Sequence, residues 1–170
     1  MKIIKLGMIS VVVLFLVATL IGLLLPSTVV VSRATDIQIT ADSVRPLLVN
    51  LNRWPEWVEG VKDNGFAVTT AQSTGVGAKA KVNGNIITLT GIKPNSVTSL
   101  WEGSNSFTQD AAFNLFTDSA NTVTTIQWSF TQHIGWYPWE RLGSFMNDKI
   151  LGPVMEKSLE NLKHRTEQPQ

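Results

Sequence analysis

The chain has 170 residues, of which 44% are apolar and 16% charged, enough for one modest folded domain and too apolar for wholesale disorder. It contains no cysteine, which excludes disulfides, thiolate nucleophiles, cysteine-ligated zinc and a cysteine lipid anchor. Net charge is +1, and setting aside Lys2 and Lys5 leaves 12 of the 14 basic residues against 13 acidic ones, so the folded part carries no nucleic-acid footprint.

Apolarity is concentrated at the start. Residues 6–25 hold no charge, and fourteen of the twenty are Leu, Ile, Val or Phe. A helix of that length rises about 30 Å, the thickness of a bilayer's hydrocarbon core. A cleavable signal peptide is the competing reading, but its apolar stretch is normally shorter and ends in a small-x-small site. This run ends in Leu25-Pro26-Ser27, so residues 1–26 read as an uncleaved anchor. Lys2 and Lys5 precede the span and only Arg33 follows closely, which places the N-terminus in the cytoplasm and the domain outside it. In a bacterium that means the periplasm or the outer face.

After Pro26 the pattern turns β-branched. Thr28-Val29-Val30-Val31, then Ile37 and Ile39 alternating with Asp36, Gln38 and Thr40, predict a strand. Thr40 reads as the N-cap of a short helix that carries Asp42 in its first turn and Leu47, Leu48 and Leu51 on one side. Pro46 is tolerable in an opening turn, and the helix should end before Pro55.

From 64 to 131 strands alternate with turns. The expected strands are 66–71, 78–82, 86–92, 97–102, 111–117 and 123–131. Asn83-Gly84 accepts the positive φ of a tight hairpin, and Gly75-Val76-Gly77 is a turn that lacks the lysine and helix of a phosphate loop. Ile126, Trp128 and Phe130 share one face of the last strand; Thr125, Gln127 and Ser129 share the other. The sheet therefore has one dry face. Between Pro138 and Glu167 the apolar residues Leu142, Met146, Ile150, Val154, Leu159 and Leu162 recur every three to five positions, predicting a long helix kinked at Gly152-Pro153. The architecture that follows is α+β: seven antiparallel strands curved around one long helix, over residues 27–166, with a polar tail at 167–170.

The order of these elements, together with Arg53-Trp54-Pro55-Glu56-Trp57, Gly75-Val76-Gly77-Ala78 and Gly152-Pro153-Val154-Met155-Glu156-Lys157-Ser158-Leu159, resembles the START-like (SRPBCC) superfamily. The branch it is most similar to is the polyketide cyclase/dehydrase and lipid transport type with an N-terminal membrane helix. The resemblance covers residues 28–165. It implies a helix-grip fold with an internal cavity for a hydrophobic small molecule or lipid, without fixing an activity. Arg45 departs from relatives that carry a large apolar residue in the first helix.

Trp54, Trp57, Trp101, Phe113, Leu115, Ile126, Trp128, Phe130 and Met146 are the expected cavity lining, with indole N–H groups offered to a ligand's polar end. Trp136, Tyr137 and Trp139 either cap that pocket or pack, or meet the headgroup region. No metal-ligand spacing or Ser-His-Asp order is visible, and no cofactor is expected. His133 is a loop histidine without a partner at recognisable spacing, and His164 favours the negative end of the last helix. Glu56 and Glu59 flank Trp57, where they either line an opening or, as favoured, form a solvated face. The first functional reading is a membrane-tethered, non-catalytic binding domain. The alternatives are a cyclase or dehydratase using His133, Arg45 or Tyr137, and an adaptor that docks another envelope protein.

Overall fold

The computed structural model describes residues 2–61, 65–103, 108–143 and 146–167. An apolar helix α1 (Lys2–Leu24) leads into strand β1 (Thr28–Ile37) and helix α2 (Ala41–Val49), followed by a 3₁₀ turn (Leu51–Glu56). Six strands follow: β2 (Ala67–Val68), β3 (Lys79–Val82), β4 (Asn85–Lys93), β5 (Ser96–Glu102), β6 (Thr108–Thr117) and β7 (Thr124–His133). The chain closes with a short α3 (Pro138–Gly143) and a long α4 (Asn147–Glu167). All seven strands form one antiparallel sheet in the order β1-β7-β6-β5-β4-β3-β2. The first strand thus returns beside the last, as a grip requires.

Most of this follows from local chemistry. Asn83 and Gly84 adopt φ of 46° and 84°, and the hairpin pairs Val82 with Asn85 across them. Register puts Ile87, Leu89, Val97, Phe113, Leu115, Ile126, Trp128 and Phe130 on one face, all buried. The opposite face is a Ser/Thr/Gln surface stitched by hydrogen bonds such as Gln127 Nε2 to Ser32 Oγ and Thr125 Oγ1 to Asp36 Oδ1. Alternation gives one dry side and one wet side.

Three expectations are corrected, and one, the Thr40 cap, holds by position alone. The strand expected over 66–71 is only two residues long. Thr40 is the N-cap by position, but its hydroxyl meets Ser43 Oγ instead of a backbone N–H. The terminal segment is two helices, α3 and α4, and Pro153 lies inside α4. Finally, the buried face of α4 is Gly152, Met155, Ser158, Leu159 and Leu162, whereas Met146, Ile150 and Val154 are exposed. The side chain of Leu142 and residues 168–170 of the expected tail lie outside the described residues. Glu167 belongs to α4, and its carboxylate accepts from Gln38 N.

Polar side chains fasten α4. Ser158 is fully buried because its hydroxyl donates to Val154 O (2.6 Å) and accepts from Glu59 N (2.9 Å). Lys157 pairs with Glu59 and Arg165 with Glu56, which also holds Arg53. Near the other end, the Arg33 guanidinium packs against Gly152 and bonds Glu156 (2.6 Å) and Asp148 (2.9 Å). A side chain at position 152 would occupy the space the guanidinium fills.

These pairs make a pH prediction. The Arg53 hydrogen bond holds the Glu56 carboxyl below its ordinary 4.5, and Lys157 does the same for Glu59. Both shifts are downward, so their stabilisation is complete above that ordinary value and drains away as pH falls through the lowered one. Urea midpoints should therefore drop between about pH 6 and about pH 3, and drop less in a Glu56→Gln/Glu59→Gln variant. Equal drops in both chains would show that the pairs do not couple to folding.

Candidate functional site: the aromatic inner face

The 3₁₀ turn lays Trp54 and Trp57 across the dry face of the sheet. Each indole is anchored to the preceding helix, Trp54 Nε1 donating to Leu48 O (3.0 Å) and Trp57 Nε1 to Leu47 O (3.3 Å). Against them stand Phe113 and Trp128, side by side on β6 and β7 with ring centroids 5.0 Å apart. Trp54 stacks on Trp101 at 5.9 Å, and Trp101 meets Phe130 edge-on at 5.2 Å. Leu115 and Ile126 continue the face as a cross-strand pair. Eight of the nine expected lining residues thus meet in one cluster, with only Trp101 partly buried.

The rings touch one another. Neighbouring centroids in this cluster lie 5.0–6.1 Å apart, so the rings form one continuous aromatic surface on the inner face. An apolar groove also runs along Lys5, Met8, Ile9, Val12 and Val13 of α1, outside the grip.

One polar atom within the packed rings has no partner. Trp101 Nε1 donates to Ser99 Oγ (3.1 Å), but Trp128 Nε1, on a side chain 1% exposed, makes no hydrogen bond. A buried donor left unmade costs about 1–3 kcal/mol. The strand partner of Trp128 is Arg33, on the same face beneath α4.

Residues 28–167 match the family described as polyketide cyclase / dehydrase and lipid transport. The chain belongs to that family. Solved structures agree on the fold. A START superfamily protein from Mycobacterium smegmatis superposes with a TM-score of 0.61 at 15% identity, covering 82% of this chain and 97% of that one. A Nitrosospira multiformis protein gives 0.62 at 14% identity, covering 81% and 96%. A Thermobifida fusca protein gives 0.61 at 13% identity, covering 83% and 97%. No curated protein matches the sequence.

The remaining sequence candidates lie apart from this face of the family fold. Met146 is not among the rings; it lies one residue before α4 and is 52% exposed. His133 ends β7 on the wet side, with Nδ1 3.2 Å from Thr28 Oγ1. Arg45 lies on α2, which follows the opposite end of β1. A ten-residue strand separates those ends by about 30 Å. Tyr137 stacks between Trp136 and Trp139, beside α1. These three groups therefore form no common site. Glu56 and Glu59 are committed to ion pairs, as a solvated face would have them.

Sequence reasoning missed a polar rim. Gln109 and Gln132 lie at the ends of β6 and β7, where Gln109 Nε2 donates to Gln132 Oε1 (3.4 Å). The same oxygen accepts from Asn147 Nδ2 of α4 at 2.6 Å. The signal was available: both glutamines fall two residues beyond the dry-face positions Ala111 and Phe130.

Proposed function

We propose that this protein is a membrane-tethered, non-catalytic member of its family that binds a hydrophobic molecule carrying at least one acceptor oxygen. In this reading α1 crosses the membrane with the N-terminus in the cytoplasm, and the grip lies on the far side. The observation that carries it is Trp128 Nε1, a buried donor without a partner in the centre of an aromatic wall. A ligand oxygen satisfies that donor while the apolar body displaces ring-to-ring contacts with ring-to-ligand ones. Trp101, the one partly exposed ring, and the Gln109–Gln132–Asn147 rim mark the side of entry. Binding without catalysis is supported by the scatter of Arg45, His133 and Tyr137.

A guest on this face touches the rings, and tryptophan emission should report it. The full chain in detergent is titrated with a long-chain alcohol and with the alkane of the same length. The alcohol should shift the emission at lower concentration than the alkane. Trp128→Phe should weaken the alcohol about tenfold, the worth of one hydrogen bond, and leave the alkane unchanged. Silence toward both probes, or an alcohol response untouched by Trp128→Phe, contradicts the reading.

A further inference from the structure

We infer that the α3 segment is a second membrane contact, an aromatic collar that lies in the headgroup region of the leaflet from which α1 emerges. The inference rests on α1 being a span, as proposed above, and adds to it a fixed orientation of the grip.

Four observations converge on this segment. Trp136, Tyr137 and Trp139 are 53%, 39% and 59% exposed, although stacked face to face at 4.4 and 4.9 Å. Water is a poor solvent for three adjoining rings, whereas the bilayer interface favours Trp and Tyr, whose apolar bodies and polar tips suit it. The collar is also tied to α1. Arg141 donates to Gly22 O (3.0 Å), which also accepts from Leu25 N, to Leu25 O (2.6 Å) just past the C-terminal end of α1, and to Gly135 O (2.9 Å). That places a cation at the negative end of the helix.

Contact continues down the helix. Pro138 packs on Gly22, where an added side chain would meet its backbone at 3.3 Å, and the Trp139 ring lies 6.5 Å from Phe15. The only partly or fully buried side chains in the last three turns of α1 are Ala18, Thr19 and Gly22, on the side where α3 lies. Phe15 to Gly22 spans about 10 Å of helix axis, so α3 lies along the end of α1 that faces the domain. A collar that starts beside Gly22 begins at the boundary between headgroups and acyl chains, where in-plane aromatic segments bury by about 5–10 Å, and its Trp139 ring reaches below that boundary toward Phe15.

The consequence is directional. Ile134 N bonds Ser27 O, so the His133 end of the sheet, with Gln132 and Asn147 beside it, lies next to the collar. The rim of the grip then faces the lipid surface, and a hydrophobic guest passes between leaflet and grip without crossing water.

The absence of cysteine makes the test direct, because single-cysteine spin labels need no background removed. Labels are placed one at a time through Trp136→Cys, Trp139→Cys, Val12→Cys in α1 and Val76→Cys in the exposed Gly75–Gly77 turn. The full chain is reconstituted in phosphatidylcholine/phosphatidylglycerol nanodiscs, and collisions with oxygen and with a water-soluble nickel chelate are compared. The oxygen-to-nickel ratio at 136 and 139 should be several-fold higher than at 76 and lower than at 12. Ratios at 136 and 139 equal to that at 76, with 12 still in lipid, overturn the collar and leave the anchor standing. A label at 12 that is open to nickel overturns the anchor and the collar together. Protection at 136 and 139 from both reagents, with spin–spin broadening, means that a second copy of the chain covers the patch and also overturns the proposal.

Discussion

Trp54→Ala should be the most damaging single substitution, costing about 3–5 kcal/mol of folding free energy. Trp54 is fully buried and in ring contact with Trp57, Trp101 and Phe113. It is also the pin between α2 and the sheet, through its hydrogen bond to Leu48 O. Truncation removes one of the three fully buried tryptophans of the core, leaves a hole that rigid neighbours fill poorly, and strands a buried carbonyl. The free energy is read from urea unfolding of the full chain in detergent, followed by near-ultraviolet circular dichroism. A loss under about 1 kcal/mol would mean that the aromatic cluster is loosely packed, contrary to the geometry described above.

The second large effect separates two leucine-like positions of one helix. Leu162→Ala should cost about 2–5 kcal/mol, because Leu162 is wholly buried against the sheet. Ile150→Ala should stay within about 0.5 kcal/mol in the same detergent assay, because Ile150 is 62% exposed. Spacing alone puts both on a single stripe, so equal losses would restore the stripe and contradict the observed rotation of α4.

That contrast shows where the sequence was legible. Strand order, the Asn83-Gly84 hairpin and the dry face of β7 could be read, because alternation and turn chemistry are local. The phase of α4 could not. Its buried face includes Gly152 and Ser158, which no count of apolar residues selects. Gly152 is inside because the Arg33 guanidinium lies over it, and Ser158 because a loop N–H and a helix carbonyl satisfy its hydroxyl. Both reasons are tertiary. Arg33 itself read as a charge flanking the membrane segment, whereas it sits on an inward position of β1, paired with Asp148 and Glu156.

The candidate site divides the same way. Eight expected lining residues share the inner face because their strands and turn were correctly placed, whereas Met146 lies exposed just before α4. Whether aromatic side chains enclose space or occupy it depends on rotamers, which sequence spacing does not encode. The same limit hid which indole would lack a partner. Trp54, Trp57 and Trp101 each find an oxygen on the nearby chain, and Trp128 alone of the four makes no hydrogen bond.

Native mass spectrometry of the full chain, released from its own membranes in mild detergent, tests the binding claim most directly. The account predicts a non-covalent adduct of a hydrophobic, oxygen-bearing molecule, retained by the natural chain and depleted in Trp128→Phe. A chain that emerges bare, and stays bare after incubation with a long-chain alcohol, would contradict it.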